Sequence, residues 1–118
     1  MVMTMSDEDA TPAHRDAIDL GEPLQTLWEV WNPEHEVMRR KELDHFVHAY
    51  ERQIKELTNH HQVREYDRAA NEAVDMMSIS LNYMRMLGYS PSEVAQKVQD
   101  RAKLRMEGQT KEILRNYP

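Results

Sequence analysis

Apolar residues along this chain recur three and four positions apart, the period of a helix buried along one side. Leu24, Leu27, Trp28 and Trp31 open the series and predict a short helix over residues 22 to about 31. Asn32-Pro33 reads as a second helix start, with Asn at the cap, Pro in the first turn and Glu34 and Glu36 near the positive end of the dipole. Val37, Leu43, Phe46, Val47, Tyr50, Ile54 and Leu57 carry its stripe to about Thr58. Asn59-His60-His61 interrupts the period and predicts the turn.

A central helix follows over about 63–87, closed by Gly88, which suits a left-handed helix stop. Its apolar positions form two stripes. Ala70, Ala73, Val74, Met77, Leu81 and Met84 make one; Met76, Ile79, Tyr83 and Met86 make the other. A helix apolar on two sides is buried on two sides, and in so short a chain the second side points to another subunit. Ser90-Pro91-Ser92-Glu93 is the sharpest local signal: Ser90 caps, Pro91 opens the helix and Glu93 completes a capping box. Val94, Val98, Ala102 and Leu104 extend that helix to about Met106, Gly108 interrupts it, and residues 110–117 predict one more short helix. Residues 1–20 show no apolar period and read as a mobile acidic tail, which leaves 21–118 as a single all-α domain. Four main helices joined by short turns predict an antiparallel four-helix-bundle-like fold, completed by oligomerisation as a homodimer or homotetramer.

Composition narrows the function classes. No apolar stretch approaches the roughly 18 residues of a membrane span, so no membrane partner is expected. Residues 1–9 lack a basic segment followed by an apolar one, so no secretory signal is visible and a cytoplasmic location is the expectation. With no cysteine there is neither a disulfide framework nor a thiolate zinc site. The net charge of −6 disfavours a duplex nucleic acid partner, which needs a basic face. It leaves room for one nucleotide held through a cation that carboxylates bind.

Glu72 and Asp75, three apart, project from one face of the central helix among apolar residues. A carboxylate placed there is costly unless it is paired or bound to a cation. Arg68, Lys55 or a neighbouring subunit would serve as ordinary ion-pair partners. If the preceding helix is antiparallel, Glu56 approaches the same pair, and three carboxylates from two helices make a hard oxygen site suited to Mg²⁺ or Mn²⁺. Gln53, one turn before Glu56, faces the same pocket.

From Ile54 to Tyr117 the chain resembles the MazG-type all-α nucleoside triphosphate pyrophosphohydrolases. Asn71-Glu72-Ala73-Val74-Asp75 matches the family's E-x-x-D element, and Leu87-Gly88-Tyr89-Ser90-Pro91-Ser92-Glu93-Val94 resembles its joint into the last helix. Lys97, Lys103 and the ending Leu114-Arg115-Asn116-Tyr117-Pro118 are similar to its basic, aromatic-terminated tail. The family's first acidic element, E-E-x-x-E, falls on Arg52-Gln53-Ile54-Lys55-Glu56, where only the last acid is present; a second placement, with a longer gap, falls on Asp44-His45-Phe46-Val47-His48.

The resemblance implies metal-dependent hydrolysis of a nucleoside triphosphate to the monophosphate and pyrophosphate. Glu56, Glu72 and Asp75 would hold Mg²⁺ or Mn²⁺, Lys97 or Lys103 would assist at the phosphates, and Gln53 or Asn71 would orient water or base. The thinned first element motivates an alternative, a catalytically inactive helical homo-oligomer that acts by interaction.

Other candidates are weaker. His45 and His48 share a helical face and His60-His61 fall in the expected turn; such residues can bind Zn²⁺ or Ni²⁺ but are more often half-buried polar groups. Trp28 and Trp31 read as a hydrophobic lid, with base stacking as the functional alternative. The methionines of the central helix read as core filler. No phosphate-binding Gly-rich loop is present, and Ser78 and Ser80 have no evident catalytic partners.

Overall fold

The computed structural model describes residues 19–117, and all of its regular structure is helical. In chain order these are α1 (Glu22–Glu29), a 3-10 turn (Asn32–Glu34), α2 (His35–Arg39), α3 (Leu43–Gln62), α4 (Tyr66–Met86), α5 (Pro91–Asp100), a π-helical segment (Arg101–Met106) and α6 (Thr110–Arg115). The all-α expectation holds; the tail expected over residues 1–20 lies, but for Asp19 and Leu20, outside the described residues. No described helix is long and apolar enough to cross a membrane.

The chain divides into two compact units. One is Gly21–Ser90; the other contains the helices from Pro91 onward. In the second, α5 buries Val94 and Ala95 and passes into the π-helical segment, so the helix expected to run to Met106 does so with a change of winding. Gly108, at φ +77°, breaks it before α6.

In the first unit α3 and α4 form an antiparallel hairpin. Phe46 meets Tyr83 edge-on with ring centroids 5.5 Å apart, Tyr50 hydrogen-bonds Ser80, and His60 meets Glu72. The hairpin corrects two boundaries. The stripe expected to run unbroken from Pro33 to Thr58 splits into the 3-10 turn, α2 and α3, because Glu42 turns extended (φ −108°, ψ 169°) before α3 begins. The turn expected at Asn59-His60-His61 lies at 63–65, where Arg64 takes a left-handed φ of 66°. His60 stays helical because both of its ring nitrogens find carboxylates.

The core of this unit is Trp28, Met38, Phe46, Ala69 and Leu81. Burying one of the large members contributes roughly 1.5–3 kcal/mol. Helix α4 presents an unexpected face to it. Ser78, Asn82 and Arg85 are buried, whereas Val74 and Met77 of the first apolar stripe stay 46% and 53% exposed.

Arg85 is only 1% exposed, and its acceptors all come from the stretch 28–35. Nη2 donates to the Trp28 carbonyl at 2.7 Å; Nη1 donates to Asn32 Oδ1 at 3.1 Å and to His35 Nδ1 at 2.9 Å. The guanidinium also lies over the Trp28 ring, 4.0 Å from its centroid. Asn32 therefore makes no side-chain cap at its helix start, contrary to expectation, because its oxygen serves Arg85. Arg39 secures the far end of α4, donating from Nη1 to the carbonyls of Met86 at 2.9 Å and Arg85 at 3.3 Å. Gly88 follows at φ +99°, and a Cβ there would lie 2.9 Å from Arg39 Nη1. The backbone conformation favours glycine, and a side chain there would also push the Arg39 guanidinium aside.

Replacing Arg85 removes three hydrogen bonds, leaves the Trp28 carbonyl with only the Trp31 N–H, and opens a cavity. Arg85→Ala is expected to lower unfolding free energy by about 3–5 kcal/mol in urea titrations followed by tryptophan fluorescence. Arg85→Lys should recover only part of that loss, because an ammonium cannot reproduce the planar stack and fork.

Candidate functional site

The antiparallel hairpin brings Glu56 of α3 beside Glu72 and Asp75 of α4. Helical spacing puts Glu72 and Asp75 on one face. Glu72 is the most withdrawn of the charged groups here, its side chain 13% exposed. Its carboxyl is held above the usual glutamate range, first by loss of water. A hydrogen bond with Asp75 and the negative charges of Glu56 and Asp75 push the same way, and His60 pulls against them. Each of these causes is one of the three ways in which a protein moves a carboxylate. Glu56 and Asp75 thus both lie near enough to Glu72 to act on its carboxyl. Among the described residues, however, no three His, Asp or Glu side chains are grouped so as to hold a metal ion.

Two side chains partner the trio, His60 and Arg52. His60 Nε2 lies 3.3 Å from Glu72 Oε2, and its Nδ1 lies 2.9 Å from Glu65 Oε1. The hydrogen bond from His60 is the main reason that the Glu65 carboxyl lies below its ordinary range. Arg52, which stands where the resemblance would place an acid, meets Glu56 at 3.4 Å from an exposed side chain. The partners suggested for Glu72 and Asp75 from sequence, Lys55 and Arg68, are not those found: Arg68 pairs with Glu65 at 3.9 Å.

Asp75 also lines a cavity of about 580 Å³ in the same unit. The α3 side is His45, Phe46, His48, Ala49, Arg52 and Gln53; the α4 side is Asp75, Ser78, Ile79 and Asn82. Trp31 and Met38 contribute from the preceding segment. Because α3 and α4 run antiparallel, Gln53 and Asp75 share one end of the groove, and His45 and Asn82 share the other. Gln53 Oε1 is buried and has no hydrogen-bond partner, which costs roughly 1–3 kcal/mol until a donor reaches it. His45 has its imidazole pKa lowered by burial and by the charge of Lys41, so the far end of the groove favours a neutral ring.

The remaining sequence candidates scatter. Asn71 is exposed on α4. Lys97 lies on α5 and Lys103 on the π-helical segment, both exposed and both in the other unit. His61 packs edge-on against Tyr66, 5.1 Å between centroids, rather than pairing with His60. Trp28 is not a lid: it is buried under Arg85, and Trp31 alone of the two tryptophans reaches the cavity. Sequence reasoning missed Asn82, Ser78 and Arg85. The available signal was their polarity at positions in step with the buried Leu81 and Ala69. The chain matches no known family, no characterised protein and no solved structure.

The raised Glu72 carboxyl fixes the sign of a pH dependence. Between its ordinary value of 4.5 and its higher folded value, the folded state binds more protons than the unfolded one. Stability contributed at this position therefore falls as pH rises through that window. Glu72→Gln should raise the melting temperature at pH 7–8, and the gain should vanish toward pH 4.5. A gain that instead grew on acidification would refute the crowding.

Proposed function

We propose that the protein hydrolyses a nucleoside triphosphate to the monophosphate and pyrophosphate with the help of Mg²⁺ or Mn²⁺. The observation that carries this reading is the crowded trio Glu56, Glu72 and Asp75 at one end of a groove that Asp75 shares. Carboxylate oxygens are the chemistry a hard divalent ion takes, although the three as placed are not grouped so as to hold one among the described residues, so binding would draw them together. When bound there, such an ion supplies charge stabilisation at phosphate oxygens and a more acidic water. Glu56, Glu72 and Asp75 would hold it, and His60 steadies Glu72 from behind. Gln53, one turn from Glu56, would orient the substrate's near end. Water's oxygen bonds to the α-phosphorus as the bond to the α–β bridging oxygen breaks; pyrophosphate leaves on that oxygen, and the proton lost by the water passes to solvent.

A second reading has its own support. Arg52 already sits on Glu56, and Val74, Met77, Val47 and Ile54 leave apolar surface on the hairpin. A catalytically inactive helical homo-oligomer, a dimer or tetramer that completes the bundle by covering such surface, would use both features. In that reading Glu72→Ala and Asp75→Ala change assembly or stability and nothing that depends on nucleotide. Calorimetry with Mg²⁺ and a non-hydrolysable triphosphate separates the two, because only the hydrolase requires metal-dependent binding heat.

The direct test is pyrophosphate release from a panel of ribo- and deoxynucleoside triphosphates with Mg²⁺ or Mn²⁺. At least one should turn over, and Asp75→Asn should lower kcat by about a hundredfold or more, the scale of a lost charged group at a reacting centre. Absence of turnover across the panel, from folded protein, would sink the enzymatic reading.

A further inference from the structure

We propose that the helix running from α5 into the π-helical segment is a peripheral membrane face, which lies in the plane of an anionic bilayer surface. This role stands apart from the acidic trio and needs neither metal nor nucleotide. From Gln96 to Met106 every residue is exposed except the half-buried Arg105. That stretch is roughly 15 Å long, and its side chains are sorted by chemistry around the axis. Val94, Val98, Ala102 and Met106 recur every four residues. An α-helix carries residues four apart about 40° further round at each step. The wider turn of the π-helical segment takes up that drift, so the row stays straight. It starts covered at Val94 and then emerges, leaving Val98 55% and Met106 44% exposed.

Cations flank the row. Lys97, Arg101 and Arg105 run parallel to it about 100° to one side, and Lys103 stands about as far to the other. None of the four has an ion pair among the described residues. The one acid between Val94 and Met106 is Asp100, on the opposite face, where Gln96 donates to it at 2.9 Å. Leu104 falls on that far side and takes no part in the row. Beyond Gly108 the pattern recurs on a smaller scale: Leu114 and Tyr117, three apart, are exposed beside Lys111 and Arg115. In a chain of net charge −6 this face is built against the prevailing sign. Its partner must be anionic and must also take an apolar strip that lies between the cations. A nucleic acid backbone favours cations on the centre line of contact. Single strands ask in addition for aromatic platforms, and residues 91–106 have none. An anionic bilayer matches the order found: headgroups meet the flanking cations, whose long stems reach past the row, while Val98, Ala102 and Met106 enter the acyl boundary. No helix has to cross for this, and none among the described residues is long and apolar enough to do so.

The test is flotation of the full chain with lipid vesicles, neutral ones of phosphatidylcholine and anionic ones of phosphatidylcholine mixed with phosphatidylserine. The chain should float with the anionic vesicles and not with the neutral ones, and high salt should release most of it. Arg101→Gln combined with Arg105→Gln should weaken partitioning about thirtyfold, the effect of two cations near an anionic surface. Val98→Ser combined with Met106→Ser should weaken it about tenfold, because apolar burial is lost while every charge stays. Circular dichroism checks the fold of both variants. If either unfolds, the contrast between anionic and neutral vesicles on the wild type, with its salt dependence, decides the matter. No binding to anionic vesicles, equal binding to neutral ones, or binding that the folded serine variant leaves unchanged would overturn the proposal. So would capture of a single-stranded or duplex oligonucleotide in place of vesicles, which assigns the face to nucleic acid. Self-association that the glutamine variant abolishes, without vesicle binding, would assign it to a second copy and overturn the proposal as well.

Discussion

Arg85 carries a positive charge into the least exposed position of its helix, and among the described residues no carboxylate pairs with it there. Burial pulls its pKa below the ordinary arginine value, yet a guanidinium stays charged and can only donate. Everything that meets it must therefore be an acceptor or a ring face. The stretch from Trp28 to His35 supplies one of each kind: the Trp28 carbonyl, which Trp31 N–H also reaches, an amide oxygen, an imidazole lone pair and an indole. His35 must then present a bare Nδ1, which fixes its tautomer. This interaction is what holds an irregular segment, between two short helices, against α4. Trp31 and Met38 lie in or beside that segment, so the wall they give the cavity depends on a charge that never touches it.

The same helix carries the candidate site, and there the electrostatic logic is inverted. Arg85 is a charge whose two terminal nitrogens meet acceptors, with Nε left unpartnered; Glu72 is a charge beside two more of its own sign. The first arrangement is rigid, since the guanidinium fork is pre-organised and each contact is directional. The second leaves a carboxylate that gains from any cation that approaches. Helix α4 thus has one end committed to structure and the other left with unspent affinity, and the groove along it runs between them.

Much of this was legible in the residues. The existence of each main helix followed from the apolar period, and the approach of Glu56 to Glu72 and Asp75 followed from a three-residue spacing plus an antiparallel hairpin. The turn did not, because Arg64 adopts a left-handed conformation with no glycine to announce it, while His60 extends α3 through contacts to Glu65 and Glu72 that only the folded hairpin creates. The break before α3 carries neither Gly nor Pro and was equally silent. The buried side of α4 was misjudged for a related reason. Apolar pattern assigns Val74 and Met77 to the core, but the position of Arg85 is set by acceptors more than fifty residues away, and that rotation places Ser78 and Asn82 inside. Long-range polar partners leave no periodic trace.

Competition at the trio follows from the two side chains already beside it, Arg52 and His60. The Arg52–Glu56 contact is made by a side chain 79% exposed, so it is worth little and yields easily. His60 is different: it is more enclosed, and Glu65 fixes its ring from the other nitrogen, so it stays beside Glu72 when Arg52 leaves. A divalent ion would then meet Glu56 freed of its partner, Asp75 at the groove, and Glu72 oriented by a ring it need not displace, since a carboxylate has a second oxygen to offer. Arg52 therefore offsets the negative charge at this end less than its formal charge implies. Its contact with Glu56 is a surface pair that water and salt already screen.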